Sequence, residues 1–374
     1  MIFHNQMGLI HPKKKGSLMN KKLINYIVKN KRFFVGLEDS KRTWKVSVRC
    51  EGREIHYSSM QARYDILISF LRNKFPECTI KLIYEAGFKG FNLYDKLQND
   101  GIECVVTPPC KVTQEKCNKV KTDKVDARRL ATVLEKDDYK VCAVPDIERR
   151  EDRQLCRAMI QVQQEITRTK NRIRKFFDFN GNAETFAAGT WTEKDYAYAR
   201  TIELSPVLKK TLAIYFELLD HLKKHRKEIH KEIMTIAKKD RYKSALKILV
   251  SVAGVGKLTA LRLILEWGED MATRFKSGNS LACFAGLTQS EYSTGDTVRK
   301  GRITGQGRGY IRAGLIQCAW VCLRRDPAML DAFNRIAKNT GSKKKAIVAI
   351  ARKLVVRMWT CLHNQQEYVV GVLA

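Results

Sequence analysis

The sequence predicts an α/β domain at the front of the chain and a mostly helical region behind it. Three observations carry that expectation. Short apolar runs broken by glycine and acidic residues begin near residue 33. Helix-like and strand-like segments then alternate to about residue 150, and from residue 151 onward long helical periodicities take over. A chain of 374 residues leaves room for two or three domains with a sizeable core.

The opening "MIFHNQMGLIHPKKKGSLMNKK" lacks the apolar stretch of a secretion signal and reads as a flexible basic arm, residues 1–32. "RFFVGLEDS" is a short strand stopped by acids. "WKVSVRCEG" alternates apolar and polar residues into a glycine turn, and "REIHYSSM" forms a third strand. In "ARYDILISFLRNKF" the spacing of Tyr64, Ile66, Leu67, Phe70 and Leu71 predicts a helix. "TIKLIYEAG" follows as a strand, "FNLYDKLQNDG" as a helix ended by Gly101, "IECVVTPP" as a strand stopped by prolines, and "KTDKVDARRLA" as a further helix. Three hairpin-linked strands followed by alternating helices and strands describe a mixed sheet with helices packed on it. That is the element order of a ribonuclease-H-like fold, over residues 33–150.

In residues 151–243, Leu155, Met159, Val162, Ile166, Thr169, Ile173 and Phe176 stand alternately four and three apart, a heptad seam. Arg157, Arg168, Lys170, Arg172, Arg174 and Lys175 lie between them. A second helical pattern runs from Ser205 to Lys239 with Leu218, Leu222, Ile229, Ile233 and Ile236 on its apolar side. With "NGNAETFAAGTWTEKDY" as the connection, the two predict an antiparallel coiled-coil arm. Residues 244–363 form the helical C-terminal region and 364–374 a tail. "ALKILVSVAGVGKLTALRLILEW" reads as helix, "GVG" turn, helix. Such a helix-hairpin-helix presents turn amides and a helix N-terminus at Gly254, Gly256 and Lys257 to a phosphate.

Seventy Lys and Arg against 39 Asp and Glu give a formal net charge of +31 and a pI near 9.8. That excess exceeds what solubility needs and points to a polyanionic partner, nucleic acid first. No apolar run is long enough to span a bilayer, and no strongly amphipathic basic helix suits a membrane surface. Eleven cysteines without CxxC pairs read as reduced, mostly buried thiols of a cytosolic protein rather than zinc ligands or disulfides.

Within this basic chain a small set of acids stands out. Glu38 and Asp39 close the first strand, Glu85 closes the fourth, and Asp123 and Asp126 lie three apart on one helical face, where like charges repel. With the first and fourth strands adjacent at the centre of the sheet, these carboxylates converge. Hard oxygen donors gathered in this way fit one or two Mg²⁺ ions that also hold substrate phosphate. The competing reading is plain surface ion pairing of Asp123 and Asp126 with Lys119, Lys121, Lys124, Arg128 and Arg129.

"VGLEDSKRTWKVSVR", "YEAGFKGFNLYDKL", "VVTPP" and "KTDKVDARRLA", followed by "AGVGKLTA" and "FAGLTQSEYSTGDTVRKGRITGQGRGYIRAGL", resemble the landmarks of the DEDD insertion-sequence transposases, the bridge-RNA-guided recombinases. The resemblance runs from about residue 33 to 335. It implies a RuvC-like first domain whose acidic quartet falls on Glu38, Glu85, Asp123 and Asp126. Glu38 stands where the family has its first aspartate, so either Glu38 or Asp39 is the first metal ligand. It further implies a serine nucleophile at Ser293, beside the competing hydroxyl of Thr294, and a covalent phosphoserine formed with help from Mg²⁺. The implied partners are donor and target DNA, a noncoding guide RNA, and further copies of the chain in a dimer or tetramer. In that assembly the acidic site and the serine meet across protomers, with the heptad seam as the expected contact. Arg299, Lys300, Arg302, Arg308 and Arg312 would neutralise phosphate, and Gly295, Gly301, Gly305, Gly307 and Gly309 would let backbone approach DNA. The rival readings are a metal-dependent nuclease or junction resolvase without a covalent step, and a non-catalytic nucleic-acid-binding protein.

Overall fold

The computed structural model describes residues 31–109, 122–181, 191–293, 297 and 299–371, which fall into two compact units dividing between Val144 and Pro145. The expected basic arm lies outside the described residues, apart from its last two.

The first unit is a mixed α/β fold. Strands β1 (Arg32–Glu38), β2 (Thr43–Cys50), β3 (Arg53–Gln61), β4 (Thr79–Glu85) and β5 (Glu103–Thr107) form one sheet in the order β3-β2-β1-β4-β5. The β1, β2 and β3 strands pair antiparallel as consecutive hairpins, whereas β4 runs parallel to both β1 and β5. The five-stranded mixed sheet and the central β1–β4 neighbours agree with the sequence reading. Helices α1 (Tyr64–Lys74) and α2 (Asn92–Asn99) cover one face, where Leu67, Leu71, Leu93 and Leu97 join Val35, Leu37, Val46, Leu82 and Tyr84 in a common core. Helix α3 (Asp123–Glu135) covers the other, packing Leu130, Val133 and Leu134 on Ile83 and Val105.

What lets α3 lie so close is Gly36 in the middle of β1. A Cβ at that position would overlap the Ala127 carbonyl oxygen and the Ala131 amide nitrogen of α3. The facing residues Ala127 and Ala131 are themselves small and fully buried, so helix and strand approach backbone to backbone. This contact sets where the first turn of α3, with Asp123 and Asp126, meets the sheet.

The second unit is helical. Helix α4 (Ile147–Phe179) and helix α6 (Pro206–Ile236) run side by side, joined through the short α5 (Glu193–Ala199). Their direction is antiparallel: Asp152 of α4 meets Lys239 just past the end of α6, Gln163 meets Arg226, and Phe176 meets the Tyr215 ring edge to face. Within the connection α5 was not anticipated; it starts with a reciprocal Thr192–Asp195 cap. Trp191 and Tyr196 pack there on Phe177, Leu212, Phe216 and Leu219.

Two positions of the expected seam are corrected. Phe177, not Phe176, is fully buried, and Leu219 rather than Leu218 faces the core, Leu218 being 39% exposed. In each case the neighbouring apolar residue, one step of 100° round the helix, carries the contact. The seam also serves the chain itself. Ile166 and Ile173 are buried within this one polypeptide, so they are not open to form the protomer contact expected of the seam.

Beyond α6, helices α7 (Asp240–Ser251), α8 (Lys257–Trp267), α9 (Met271–Arg274), α10 (Gly278–Phe284), α11 (Gly309–Cys322), α12 (Pro327–Thr340) and α13 (Lys343–His363) surround one large apolar core. A hairpin of β6 (Gln289–Glu291) and β7 (Lys300–Ile303) interrupts them where the sequence showed only a Gly-, Ser- and Arg-rich stretch. The cysteines of this core, Cys156, Cys318 and Cys322, are buried free thiols, and burial pushes the Cys318 and Cys322 thiols up to about 11. No helix among the described residues is long and apolar enough to cross a membrane.

A buried polar knot ties the end of the chain to this core. Asp326, 1% exposed, caps α12 by accepting from the Ala328 and Met329 amides, and also accepts from Arg357, the Tyr368 hydroxyl and the Gly371 amide.

Two stability predictions follow from these contacts. Gly36→Ala should destabilise the first unit by about 1–3 kcal/mol or more through overpacking, read as a lower denaturant midpoint. Asp326→Ala leaves Arg357 and the helix cap without their acceptor and should cost about 3–5 kcal/mol by the same assay.

Candidate active site

The carboxylates singled out in the sequence gather at the carboxyl-terminal ends of β1 and β4, the point where the sheet switches direction of growth and open α/β sheets place ligands. Glu38 is the last residue of β1 and Asp39 follows it. Glu85 is the last residue of β4, one step beyond the Leu37–Tyr84 pair. Asp123 and Asp126 occupy the first turn of α3, which Thr122 caps by accepting from the Val125 amide. A helix N-terminus favours negative charge, which offsets part of the repulsion between the two aspartates.

One guanidinium joins two of these groups. Nη2 of Arg129 lies 3.1 Å from Glu85 Oε1 and 3.1 Å from Asp126 Oδ1, so carboxylates 41 positions apart in sequence share a single nitrogen. The other basic neighbours point elsewhere. Arg128 pairs with Glu54 of β3 at 3.0 Å, and Lys124 lies over the Tyr57 ring at 5.3 Å. Lys119 and Lys121 lie outside the described residues. The surface ion pairing weighed from the sequence is therefore limited here to Arg129.

Glu38 and Asp39 are in a different position. Glu38 Oε2 and Asp39 Oδ2 are buried without a hydrogen-bond partner. Burial raises the Glu38 carboxyl above its ordinary range, and the negative charges of Asp123, Asp39 and Asp126 raise it further. Burial pushes Asp39 up to about 6, against the opposing pull of Lys89, whose Nζ donates to the Ser40 carbonyl. Unpartnered buried carboxylate oxygens beside further acids form a donor set of the type that hard divalent cations take. Among the described residues no group of three or more His, Cys, Asp or Glu side chains stands close enough to hold a metal ion, with Arg129 engaging Glu85 and Asp126.

The hairpin serine belongs to the second unit. Ser293 lies two residues beyond the end of β6, is exposed, and its hydroxyl donates to Glu291 Oε1 at 2.7 Å. Thr294 and Gly295 lie outside the described residues. Arg299, Lys300 and Arg302 are exposed on and beside β7. Arg308 is exposed in the loop beyond, with Nε 3.8 Å from Glu266. Arg312 turns inward to donate to the Gly305 and Gln306 carbonyls. The expected phosphate-binding glycines divide in the same way. At Gly254 the backbone is left-handed, with φ of 89°, and a Cβ would overlap the Cys318 carbonyl, so packing against α11 requires glycine there. Gly256 and Lys257, at the exposed start of α8, remain open. Gly301 and Gly307 likewise meet the chain's own Ser290 and Phe284, whereas Gly305 and Gly309 are unobstructed by backbone.

Arg129, Lys89 and Glu291 were not foreseen in these roles. Arg129 stands three positions after Asp126, a spacing that permits an ion pair, but its reach to Glu85 depends on the fold.

Comparison with known proteins completes the picture. A family model described as a transposase, of the DEDD type of IS110, matches residues 35–180, and one described as the transposase IS116/IS110/IS902 family matches residues 246–334. The chain belongs to the IS110 family of DEDD transposases. A relative in Sinorhizobium fredii named "Putative transposase y4rJ" is 28% identical over 362 residues, covering 87% of this chain and 90% of its own. The transposase for insertion sequence element IS1533 of Leptospira borgpetersenii is 25% identical over 63% of this chain and 70% of its own. A pilin gene-inverting protein of Moraxella bovis is 28% identical over 32% of this chain and 38% of its own. The transposase thus carries both matched segments in one polypeptide, the first over the acidic cluster and the second over the serine hairpin.

For the acidic cluster, Asp39→Asn removes a charge that burial disfavours. In EDTA near neutral pH it should raise the melting temperature of the metal-free transposase by a few degrees, roughly, while abolishing any stabilisation that wild type gains from a divalent cation. A lower melting temperature in EDTA would contradict the reading of Asp39 as a charge that burial disfavours.

Proposed function

We propose that this transposase cuts and exchanges DNA strands through a covalent phosphoserine at Ser293, with the acidic quartet Glu38, Glu85, Asp123 and Asp126 holding Mg²⁺ and Asp39 as the alternative first ligand. The observation that carries the reading is the meeting of Glu85 and Asp126 on one Arg129 nitrogen, beside the unpartnered oxygens of Glu38 and Asp39. When bound, the divalent cation supplies charge to phosphate oxygens.

The steps assigned to the chain's own residues are these. The Ser293 hydroxyl gives its proton to Glu291, its hydrogen-bond acceptor, as the Oγ–P bond forms. The P–O bond to the departing strand end breaks, and that oxygen takes up a proton. Attack by the hydroxyl of a second strand reverses the sequence, releases Ser293 and joins the exchanged strands. Exposed Arg299, Lys300 and Arg302 around the hairpin offset phosphate charge, and the open start of α8 at Gly256 and Lys257 offers further amide donors.

In this reading residues 33–150 are a RuvC-like domain of ribonuclease-H type and 151–243 a coiled-coil arm. Residues 244–363 are a helical catalytic domain with a helix-hairpin-helix, 1–32 a basic arm and 364–374 a tail. A noncoding bridge RNA encoded by the element selects donor and target DNA, and a dimer or tetramer holds the two duplexes together. The net charge of +31 supports two nucleic-acid partners at once. The relative named for pilin gene inversion supports recombination as the outcome of cutting.

The deciding experiment incubates the purified protein with nicked element-end DNA and Mg²⁺ and resolves the products on a denaturing gel. A protein–DNA adduct present in wild type and absent in Ser293→Ala is expected. Glu291→Gln should slow adduct formation by about 10²–10⁴-fold. Free cleaved DNA without adduct would establish a hydrolytic nuclease instead, and intact DNA a binding protein only.

A further inference from the structure

Among the described residues of the second unit, two half-buried arginines have no acid paired with them. Arg149, Arg153 and Arg157 stand at four-residue intervals along one stripe of α4, and Arg262 faces them from α8. Arg157 is satisfied, with Nε and Nη2 at 2.6 and 2.8 Å from the two carboxylate oxygens of Glu266, which also accepts from the Tyr310 hydroxyl. Arg149, 7% exposed, reaches Asp270 at 3.3 Å. Arg153 and Arg262 are half-buried, and the Nε–H of each has no hydrogen-bond partner; neither guanidinium forms an ion pair among the described residues.

An arginine cannot escape this situation by losing its proton. Burial lowers Arg153, and repulsion from Arg157 lowers it further, but only to about 10, so it stays charged at neutral pH. Glu266 offsets part of the Arg153 charge but is already engaged by Arg157, and half-buried charge that is incompletely neutralised costs free energy that an external anion would return. The crevice lined by Arg153, Arg157, Arg262, Glu266 and Tyr310 has no internal room even for a water molecule. An anion answering these charges therefore meets the outer guanidinium nitrogens at its mouth rather than entering it. The crevice also adjoins the chain that leaves the serine hairpin: Tyr310 lies in the first turn of α11, and Arg308, 3.8 Å from Glu266, stands in the loop between β7 and that helix.

We propose that Arg153 and Arg262, flanked by Arg157 and Arg308, form a phosphate clamp for the DNA strand presented to the Ser293 hairpin. The inference rests on the reading of Ser293 as the nucleophile for its choice of DNA over other polyanions. Glu266 acts as the positioning residue, fixing the Arg157 fork and Tyr310 while leaving the other two guanidinia open.

The test uses the full chain and a fluorescent duplex of about 40 base pairs, with an RNA duplex of the same sequence as a second arm. Binding is followed by anisotropy from about 50 to 300 mM KCl. The Arg153→Gln/Arg262→Gln double variant should bind DNA roughly tenfold more weakly, with a log–log salt slope smaller by about 1–2. Its melting temperature should equal or exceed that of wild type, which a merely structural role would not allow. Arg335→Gln/Lys338→Gln, which removes the same charge from the exposed face of α12, serves as the comparison. A loss no larger than in that comparison overturns the clamp, and a loss confined to RNA overturns its assignment to DNA. Should the double variant not fold, Arg153→Gln alone is read for affinity and slope by the same criteria. Wild type that binds no DNA at all overturns the functional reading together with the clamp, whereas normal wild-type binding with unchanged variants overturns the clamp alone.

Discussion

The arrangement of the acidic cluster depends on one close approach, that of α3 to the centre of β1 over Gly36. Carboxylates repel, and nothing about their own chemistry would bring Glu38, Glu85, Asp123 and Asp126 to one place. The packing of Ala127 and Ala131 against a strand position with no side chain does so, backed by Leu130, Val133 and Leu134 on the same face. The apolar contact thus supports a charge arrangement that would otherwise fly apart. Arg129, on the same helix, offsets part of the cost by joining Glu85 to Asp126.

The two units handle charge differently. In the first, positive side chains near the cluster are drawn into pairs or stacking contacts, Arg128 with Glu54, Lys124 on Tyr57 and Lys89 on Trp44. That leaves Glu38 Oε2 and Asp39 Oδ2 without a hydrogen-bond partner. In the second, it is the cations that are in excess, at Arg153 and Arg262. Each unit therefore leaves polar atoms of one sign without a hydrogen-bond partner, carboxylate oxygens in the first and guanidinium N–H groups in the second.

Much of the first unit was legible in the sequence because period-2 alternation and glycine, proline and acidic stops mark short strands clearly. The hairpin order of the first three strands fixes antiparallel pairing, and β1 beside β4 follows from the alternating units. The helical unit was legible in outline only. A helix seam read from spacing drifts by one residue over several turns, which is how Leu218 stood in for Leu219 and Phe176 for Phe177. Glycine was the least transparent residue. Gly254 reads as a phosphate-binding turn, yet what excludes a side chain there is the carbonyl of Cys318, more than sixty positions away. The Arg129 bridge and the unpaired Arg153 and Arg262 were beyond reach for the same reason: each is defined by a partner, or the lack of one, on another element.

Helix α4 is unbroken for 33 residues, with Cys156 and Met159 anchored in the large apolar core and Ile173 and Phe177 in the small aromatic cluster. At 1.5 Å per residue it is a rod of about 50 Å, free of proline or glycine at which to bend. A tilt of a single degree where it leaves the large core displaces the far tip by about half an ångström. Whatever seats itself against the base of that rod is thereby geared to what happens at its other extremity.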